Sequence, residues 1–183
     1  MKPLVRHVSR RPALVAAIAF GAALSTAPAL AAVNVYLLVD GIDGPSTSRP
    51  HAIDLLSFSE GVARVVASGP SGAGRAAAKV TCSDLSVMKQ LDAASISLVQ
   101  AAFTGQTFKS ATLVYSKPVL DKQQDYFSIT LSNVIVTSVQ QAGSNENPTE
   151  SVSLTASSFT FSYTPQKSDG SLGDPATFSG SCQ

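Results

Sequence analysis

Alternating apolar and polar positions recur along most of the chain and predict short β-strands. The strand-like stretches are 35–40, 53–66, 80–88, 107–116, 125–139 and 151–164. The alternation is clearest over 125–139, where it changes phase at Asn133, and Gly61 interrupts the second stretch at a bulge or tight bend. About seven strands separated by Gly-, Pro- and Ser-rich turns predict a mainly β domain, either a small barrel or a sandwich.

One segment has helical instead of strand periodicity. Its apolar side chains at helical spacing are Ile96, Val99, Ala102 and Phe103. They predict a single helix over about 95–104 that packs on the sheet through this face. Ser95 is placed to cap the first turn, and Gly105 stands where a left-handed residue ends many helices.

The N-terminus has the pattern of a secretory signal. A basic start precedes an uncharged stretch at 13–24, which is shorter than the ~20 apolar residues that a membrane-spanning helix needs. Ala29 and Ala31 are the small residues that a signal peptidase recognises, so cleavage is predicted between Ala31 and Ala32. An uncleaved membrane anchor is the alternative, and the pattern leaves open whether export is general or twin-arginine. Cleavage divides the chain into a signal at 1–31, a β-domain at 32–170 and a C-terminal tail at 171–183.

Removal of the signal reverses the net charge. The full chain has 13 Lys and Arg against 12 Asp and Glu, a net charge of +1. Four of the basic residues and none of the acids lie in the signal, which leaves a mature net charge of −3. Because no basic cluster follows residue 31, the sequence argues against nucleic acid or anionic lipid as a partner and against membrane insertion after cleavage.

The two cysteines, Cys82 and Cys182, are predicted to form a disulfide. They are the only cysteines of the chain, and an exported domain with an even cysteine count favours pairing.

Residue patterns that carry catalysis or cofactor binding are weak in this sequence. His51 is the only histidine after the signal and is interpreted as a surface loop residue, and together with two distant cysteines it gives no zinc spacing. The Gly-rich stretch 69–76 has the spacing of a phosphate loop, but Arg75 and Ala76 replace its lysine and hydroxyl, which favours a flexible loop. The sequence therefore predicts no enzyme, no catalytic residue, no cofactor and no metal.

Two further patterns have structural interpretations. Asp40 and Asp43 flank Gly41 and favour a turn over a calcium loop, because further oxygen donors are missing. The aromatic stripe at 159, 161 and 163 has a two-residue period and is predicted to face the core instead of stacking on sugars.

Six short patterns occur in a fixed order between residues 40 and 170. They are Asp40-Gly41-Ile42-x-Gly44, Ser57-Phe58-Ser59-x-Gly61, Leu91-Asp92-x-x-Ser95 with the helix ending at Thr104-Gly105, the run from Tyr126 to Val136, Glu150-x-Val152-Ser153-Leu154, and Tyr163-Thr164-Pro165-Gln166-x-x-Asp169-Gly170. In this order and spacing the chain resembles the haemolysin-coregulated protein (Hcp) family, the tube protein of type VI secretion.

The resemblance implies a small β-barrel of antiparallel strands with one flanking helix, assembled as a six-membered ring that stacks into a tube. It implies a structural protein that carries effectors and has no active site. Typical members lack a cleaved signal, whereas this chain is predicted to be periplasmic or secreted. Two functions stay open: an exported Hcp-like ring protein with a possible effector or cell-surface partner, or a monomeric β-barrel binding module.

Overall fold

The fold is mainly β with one helix in the residues described by a computed structural model, which are 33–67, 76–119, 122–143 and 147–182. The strands are β1 (Asn34–Val39), β2 (Ile53–Asp54), β3 (Ser57–Ser59), β4 (Val62–Ala67), β5 (Ala76–Cys82), β6 (Leu85–Gln90), β7 (Thr107–Val119), β8 (Lys122–Ala142), β9 (Thr149–Thr155), β10 (Ser158–Tyr163) and β11 (Ala176–Ser181), and the helix α1 is Ala94–Thr104. The prediction of a mainly β fold with a single flanking helix is confirmed.

The two edge strands of the main sheet, β2 and β3, follow each other directly in the chain. Its strand order is β2-β1-β7-β8-β9-β6-β3, with every neighbouring pair antiparallel. The outermost strands β2 and β3 are separated only by Leu55 and Leu56, whose amides donate to Val35 O (2.9 Å) and Met88 O (2.7 Å). The segment 53–59 thus bridges both margins and gives an Hcp-like barrel arrangement without a continuous ladder between β2 and β3.

Strand β8 is the longest element and changes partner along one edge. Its first part pairs with β10 up to Ser132, and its second part pairs with β9 from Ile135. Asn133 lies at the change with a positive φ of 52° and donates a hydrogen bond from Nδ2 to Ser157 Oγ (3.0 Å). Leu131 is buried before this residue and Val134 after it, so the phase change predicted at Asn133 is confirmed.

Several strand boundaries differ from the sequence prediction. The stretch 53–66 forms three strands, 80–88 lies in two, and 151–164 is divided at residues 156 and 157. The predicted tail at 171–183 contains β11, which pairs with β10 over its whole length. Each break in a predicted strand separates two strands that pair with different neighbours. The alternation of apolar residues does not indicate which neighbour a strand will pair with.

The loop after β1 depends on two glycines for different reasons. Gly41 turns the chain with a positive φ of 85°. At Gly44, whose amide donates to His51 O (3.1 Å), a Cβ would collide with the backbone of Ala52. The first pattern of the family resemblance therefore corresponds to a turn and a close backbone approach.

The helix packs through a different face from the one predicted. Its buried residues are Ala94, Ser95, Leu98 and Ala101, whereas Ile96 and Phe103 are 73% and 88% exposed. The helix has no charged residue, and two of its faces carry apolar side chains at helical spacing. The face with the small alanines packs on the sheet, because small side chains allow the helix to approach it closely. The left-handed end at Gly105 is confirmed, with φ 66° and its amide donating to Ala101 O (2.9 Å).

The prediction that Ser95 caps the helix is wrong. Ala93 occupies the cap position and no side chain caps from there. Asp92 Oδ1 instead accepts a hydrogen bond from the amide of Ala94 (2.8 Å). The hydroxyl of Ser95 points into the buried polar cluster described below.

No helix within the described ranges is long and apolar enough to cross a membrane. The predicted signal and its cleavage site between Ala31 and Ala32 lie outside the described residues.

Candidate assembly site

A charged pair lies inside the protein at the junction of β6 and β9. Lys89 and Glu150 are directly opposite each other in the antiparallel register, and 0% and 1% of their surfaces are exposed. Lys89 follows Leu85 and Val87 at a two-residue period, so the same alternation that buries these apolar side chains also buries the ammonium. Its Nζ lies 2.8 Å from Glu150 Oε1.

The start of the helix is held by this pair. Lys89 Nζ donates to Gln90 O (2.9 Å) and Ser95 Oγ (3.0 Å) and lies 2.9 Å from Asp92 Oδ1. Ser95 Oγ donates in turn to Glu150 Oε1 (2.7 Å). The cluster satisfies the buried charges and joins the first turn of α1 to two strands.

The carboxyl of Glu150 is held in its ionised form. Burial raises its pKa, but hydrogen bonds from Lys89, Ser95 and Gln141, with the charge of Lys89, lower it more, so the pKa lies below the ordinary value. The Gln141 amide donates to Glu150 Oε2 at 3.2 Å. The sequence prediction missed this cluster, although two charged residues at the buried period of neighbouring strands would have indicated it.

The opposite side of the helix leaves large apolar side chains in solvent. Exposed Ile96, half-buried Val99 and exposed Phe103 follow one another at helical spacing, and we call them the helix patch. Val99 and Phe103 border a shallow groove of about 450 Å³ between α1 and β8, whose lining residues are Val99, Ala102, Phe103, Thr137, Ser138, Val139 and Gln141. Among the residues that the structure describes, none that lines this groove is charged.

A second group of exposed apolar side chains lies where β2, β3 and β6 meet the start of the helix. Leu56, Met88 and Leu91 are 56%, 41% and 45% exposed, and we call them the strand patch. The Leu56 amide donates to Met88 O (2.7 Å), and Leu56 and Leu91 line the same depression of about 270 Å³. Asp54 and Asp92 also line that depression, and their carboxylates are bonded to Ser46 Oγ (2.8 Å) and Lys89 Nζ (2.9 Å).

The two cysteines lie together in the folded chain. Cys82 ends β5 and Cys182 follows β11, and their Sγ atoms are bonded with the Cα atoms 5.7 Å apart. Strands β4 and β5 pair with each other in a separate two-stranded sheet, so the bond joins this hairpin to the C-terminal strand. Phe161 and Phe178 border an apolar cavity of about 420 Å³ beside it.

The remaining candidate residues of the sequence are dispersed. His51 is exposed, as predicted, and its Nδ1 lies 2.8 Å from Asp43 Oδ1. Asp40 lies at the turn after β1, where the Ile42 amide donates to Val39 O (3.0 Å). Within the ranges that the structure covers, no three His, Cys, Asp or Glu side chains are grouped as a metal site would require.

Two sequence interpretations have different outcomes. The Gly-rich stretch 69–76 lies outside the described residues except for Ala76, where β5 begins. Phe159 of the aromatic stripe is 2% exposed and Phe161 packs partly against the core, but Tyr163 is 51% exposed. The prediction that the whole stripe faces the core is therefore wrong at Tyr163, the last residue of its strand.

The structure is a small antiparallel β-protein with one helix. Its main features are the buried polar cluster of Lys89, Ser95 and Glu150 beneath the helix and the exposed apolar patches. The family described as the type VI secretion system effector Hcp matches residues 36–163, more than half of the chain. The chain belongs to this Hcp family, and the sequence resemblance is confirmed.

Individual relatives agree with this assignment. The chain is 34% identical over 143 residues to Protein hcp1 of Pseudomonas aeruginosa, a match that covers 76% of this chain and 88% of the relative. A solved structure described as a type six secretion system protein superposes with a TM-score of 0.75 at 28% identity, covering 82% of this chain and 96% of the other. Hcp1 from Salmonella typhimurium gives a TM-score of 0.67 at 26% identity, with coverages of 82% and 95%.

Proposed function

We propose that the mature chain is a non-enzymatic Hcp-like structural protein that assembles with copies of itself into a hexameric ring. The observation that carries this proposal is the family match over residues 36–163 together with the superposition on solved Hcp proteins. The ring follows from the family resemblance, in which the barrel is the repeating unit of a stacked tube.

The exposed surfaces support self-association. The helix patch and the strand patch together place apolar side chains such as Ile96, Phe103 and Leu56 in solvent. Apolar side chains grouped in this way commonly mark an interaction site. A closed ring uses two different patches on each subunit, and the helix patch and the strand patch are two separate surfaces of this kind.

Export by the N-terminal signal completes the proposal. The basic start, the short apolar stretch and the small residues up to Ala31 support cleavage before Ala32 and a location in the periplasm or outside the cell. The bonded pair of Cys82 and Cys182 suits an oxidising compartment. An effector or cell-surface molecule is the proposed partner beyond the ring itself.

Light scattering after size exclusion tests the ring directly. The mature protein is expected to elute at about six times the mass of its single ~150-residue domain, a domain size in the usual range. A monomer across a hundredfold range of concentration would contradict the ring and favour the binding-module alternative. N-terminal sequencing of the native protein tests export separately: Ala32 is expected, and Met1 would contradict it.

A further inference from the structure

We propose that the disulfide between Cys82 and Cys182 is a redox switch for the hairpin of β4 and β5. In the oxidised protein the hairpin is docked against the antiparallel pair of β10 and β11, which we call the C-terminal ribbon. When a dithiol reduces the bond, the hairpin is released while the rest of the domain stays folded. The switch is independent of the ring, because every step takes place within one subunit.

Strand pairing does not hold the hairpin on the main sheet. Within the described residues β4 pairs only with β5, in a register that places Val62 opposite Cys82. At the base of the hairpin, the amide and the hydroxyl of Ser83 both donate to Gly61 O, at 2.8 and 3.0 Å. These hydrogen bonds close the hairpin on itself and leave its position against the ribbon to other contacts.

The packing between the hairpin and the C-terminal ribbon is loose. Val62 and Val80 of the hairpin line a cavity of about 420 Å³ together with Phe161 and Phe178 of the ribbon. Val62 is 57% exposed and Phe178 is 69% exposed. Apolar side chains stabilise a contact in proportion to the area that they remove from water, so side chains this exposed contribute little. The disulfide is therefore the contact that dominates the docking of the hairpin.

The bond is placed where a thiol can reach it. Cys82 and Cys182 are both half-buried, and both line the same cavity. The cavity opens to solvent, since its lining residues Val62 and Phe178 are more than half exposed. Access to the sulfur atoms is one of the factors that set the rate of thiol–disulfide exchange.

Reduction proceeds by two exchange steps. A thiolate of the dithiol attacks one sulfur of the bond, which forms a mixed disulfide and releases the other cysteine as a thiolate. The second thiol of the dithiol loses its proton and attacks the mixed disulfide, which releases the second cysteine and closes the disulfide of the reagent. The dithiol is oxidised by two electrons, and its two protons are taken up by the cysteine thiolates.

Release of the hairpin gives the chain two surfaces in two redox environments. Disulfides persist in oxidising compartments and are reduced where thiols are kept reduced. A two-stranded hairpin by itself is marginally stable in water. The reduced hairpin is therefore expected to open its own strand pairing and to uncover the side of the ribbon that carries Phe161 and Phe178.

Hydrogen exchange of the mature protein, measured by mass spectrometry with and without the dithiol dithiothreitol, tests the switch. Reduction is expected to speed the exchange of the amides of Val62–Ala67 and Ala76–Cys82 by about tenfold or more. The amides of β7, which pair with β1 and β8, are expected to keep their rates.

The matched control is the double variant Cys82→Ser/Cys182→Ser. Its hairpin amides are expected to exchange at the rates of the reduced wild type, with or without dithiothreitol. The amides of β7 report whether this variant is folded, so a loss of fold is distinguished from release of the hairpin.

Three results would overturn the switch. Hairpin amides with equal rates in the oxidised and reduced protein would show that docking does not depend on the bond. Amides of β7 that accelerate as much as those of the hairpin would show that reduction unfolds the whole domain. A folded protein in which a maleimide finds no thiols after dithiothreitol treatment would show that the bond is closed to exchange.

Discussion

At the scale of single residues, the buried charged pair of Lys89 and Glu150 is a feature that the sequence analysis did not predict. Both residues continue the two-residue periods of otherwise apolar strands, and the fold buries them opposite each other. A buried charge is tolerated when it is paired and hydrogen-bonded. Ser95, Gln90 and Gln141 supply those additional hydrogen bonds.

Replacing Glu150 by Gln is expected to destabilise the protein strongly. The substitution removes the buried carboxylate opposite Lys89 and leaves its ammonium only the partly exposed carboxylate of Asp92, 2.9 Å away. Breaking a buried pair costs up to about 3–5 kcal/mol. Urea unfolding at neutral pH measures the loss. The matched control is Asp43→Asn, whose carboxylate pairs with His51 in solvent and is expected to change the free energy of unfolding by at most about 1 kcal/mol. If both substitutions lowered the free energy of unfolding equally, the stabilising role of the buried Lys89–Glu150 pair would be contradicted.

The same pair predicts a loss of stability in acid. The pKa of Glu150 is lowered in the folded protein from the ordinary value of 4.5, so the unfolded chain takes up a proton at a higher pH than the folded chain does. The stabilisation by ionised Glu150 is therefore complete above about pH 4.5 and is lost as the pH falls through the lowered pKa. Unfolding series at several pH values should show the difference between wild type and Glu150→Gln shrinking below that value, and a difference independent of pH would contradict the assignment.

At the scale of elements, Asn133 allows one strand to serve two partners. Its positive φ shifts the alternation of β8 by one residue at the place where β8 leaves β10 and joins β9. Asparagine adopts this conformation more readily than most residues, and its side chain bonds to Ser157 across the break between those partners.

Asn133→Val is expected to cost about 1–3 kcal/mol of stability, since a β-branched residue is strained at positive φ. Asn133→Gly is the matched variant: it also loses the hydrogen bond to Ser157 but has no steric conflict at this φ. Urea unfolding should therefore give a clearly higher free energy of unfolding for the glycine variant than for the valine variant. A valine variant as stable as the glycine variant would show that strain does not govern this position.

At the scale of the whole molecule, the disulfide joins two sheets that share no strand pairing among the described residues. Strands β4 and β5 form their own sheet, and β11 is the C-terminal strand of the other sheet. The bond between Cys82 and Cys182 joins them over a sequence separation of 100. It therefore limits the motion of the hairpin and of the C-terminus together.

Reduction of this bond is expected to lower the stability of the mature protein by roughly 4–5 kcal/mol on the chain-entropy model for so long a loop, less any strain in the folded state. Urea unfolding with and without reductant measures the change, and the double variant Cys82→Ser/Cys182→Ser is the control that should not respond to reductant. Two thiols that react with a maleimide in denaturant before any reductant is added would contradict the bond in the native protein.

The sequence by itself determined the class of fold, the single helix with its end at Gly105, the phase change at Asn133 and the family. These features depend on neighbouring residues: the period of apolar side chains, residues tolerant of positive φ, and short patterns such as Asp40-Gly41-Ile42-x-Gly44 whose glycines meet local steric needs. Local sequence carries this information because backbone sterics act over a few residues.

The tertiary structure alone decided which face of the helix is buried, where strands break and how the polar cluster closes. Ile96 and Phe103 lie on a helical stripe as regular as that of Leu98 and Ala101, and only the shape of the sheet beneath selects the stripe with small residues. Lys89 and Glu150 meet across 61 residues of sequence, and β11 joins β10 from a segment with no recognised pattern. Pairing between distant segments depends on the packing of the whole chain, because its stabilising contacts exist only once those segments have come together.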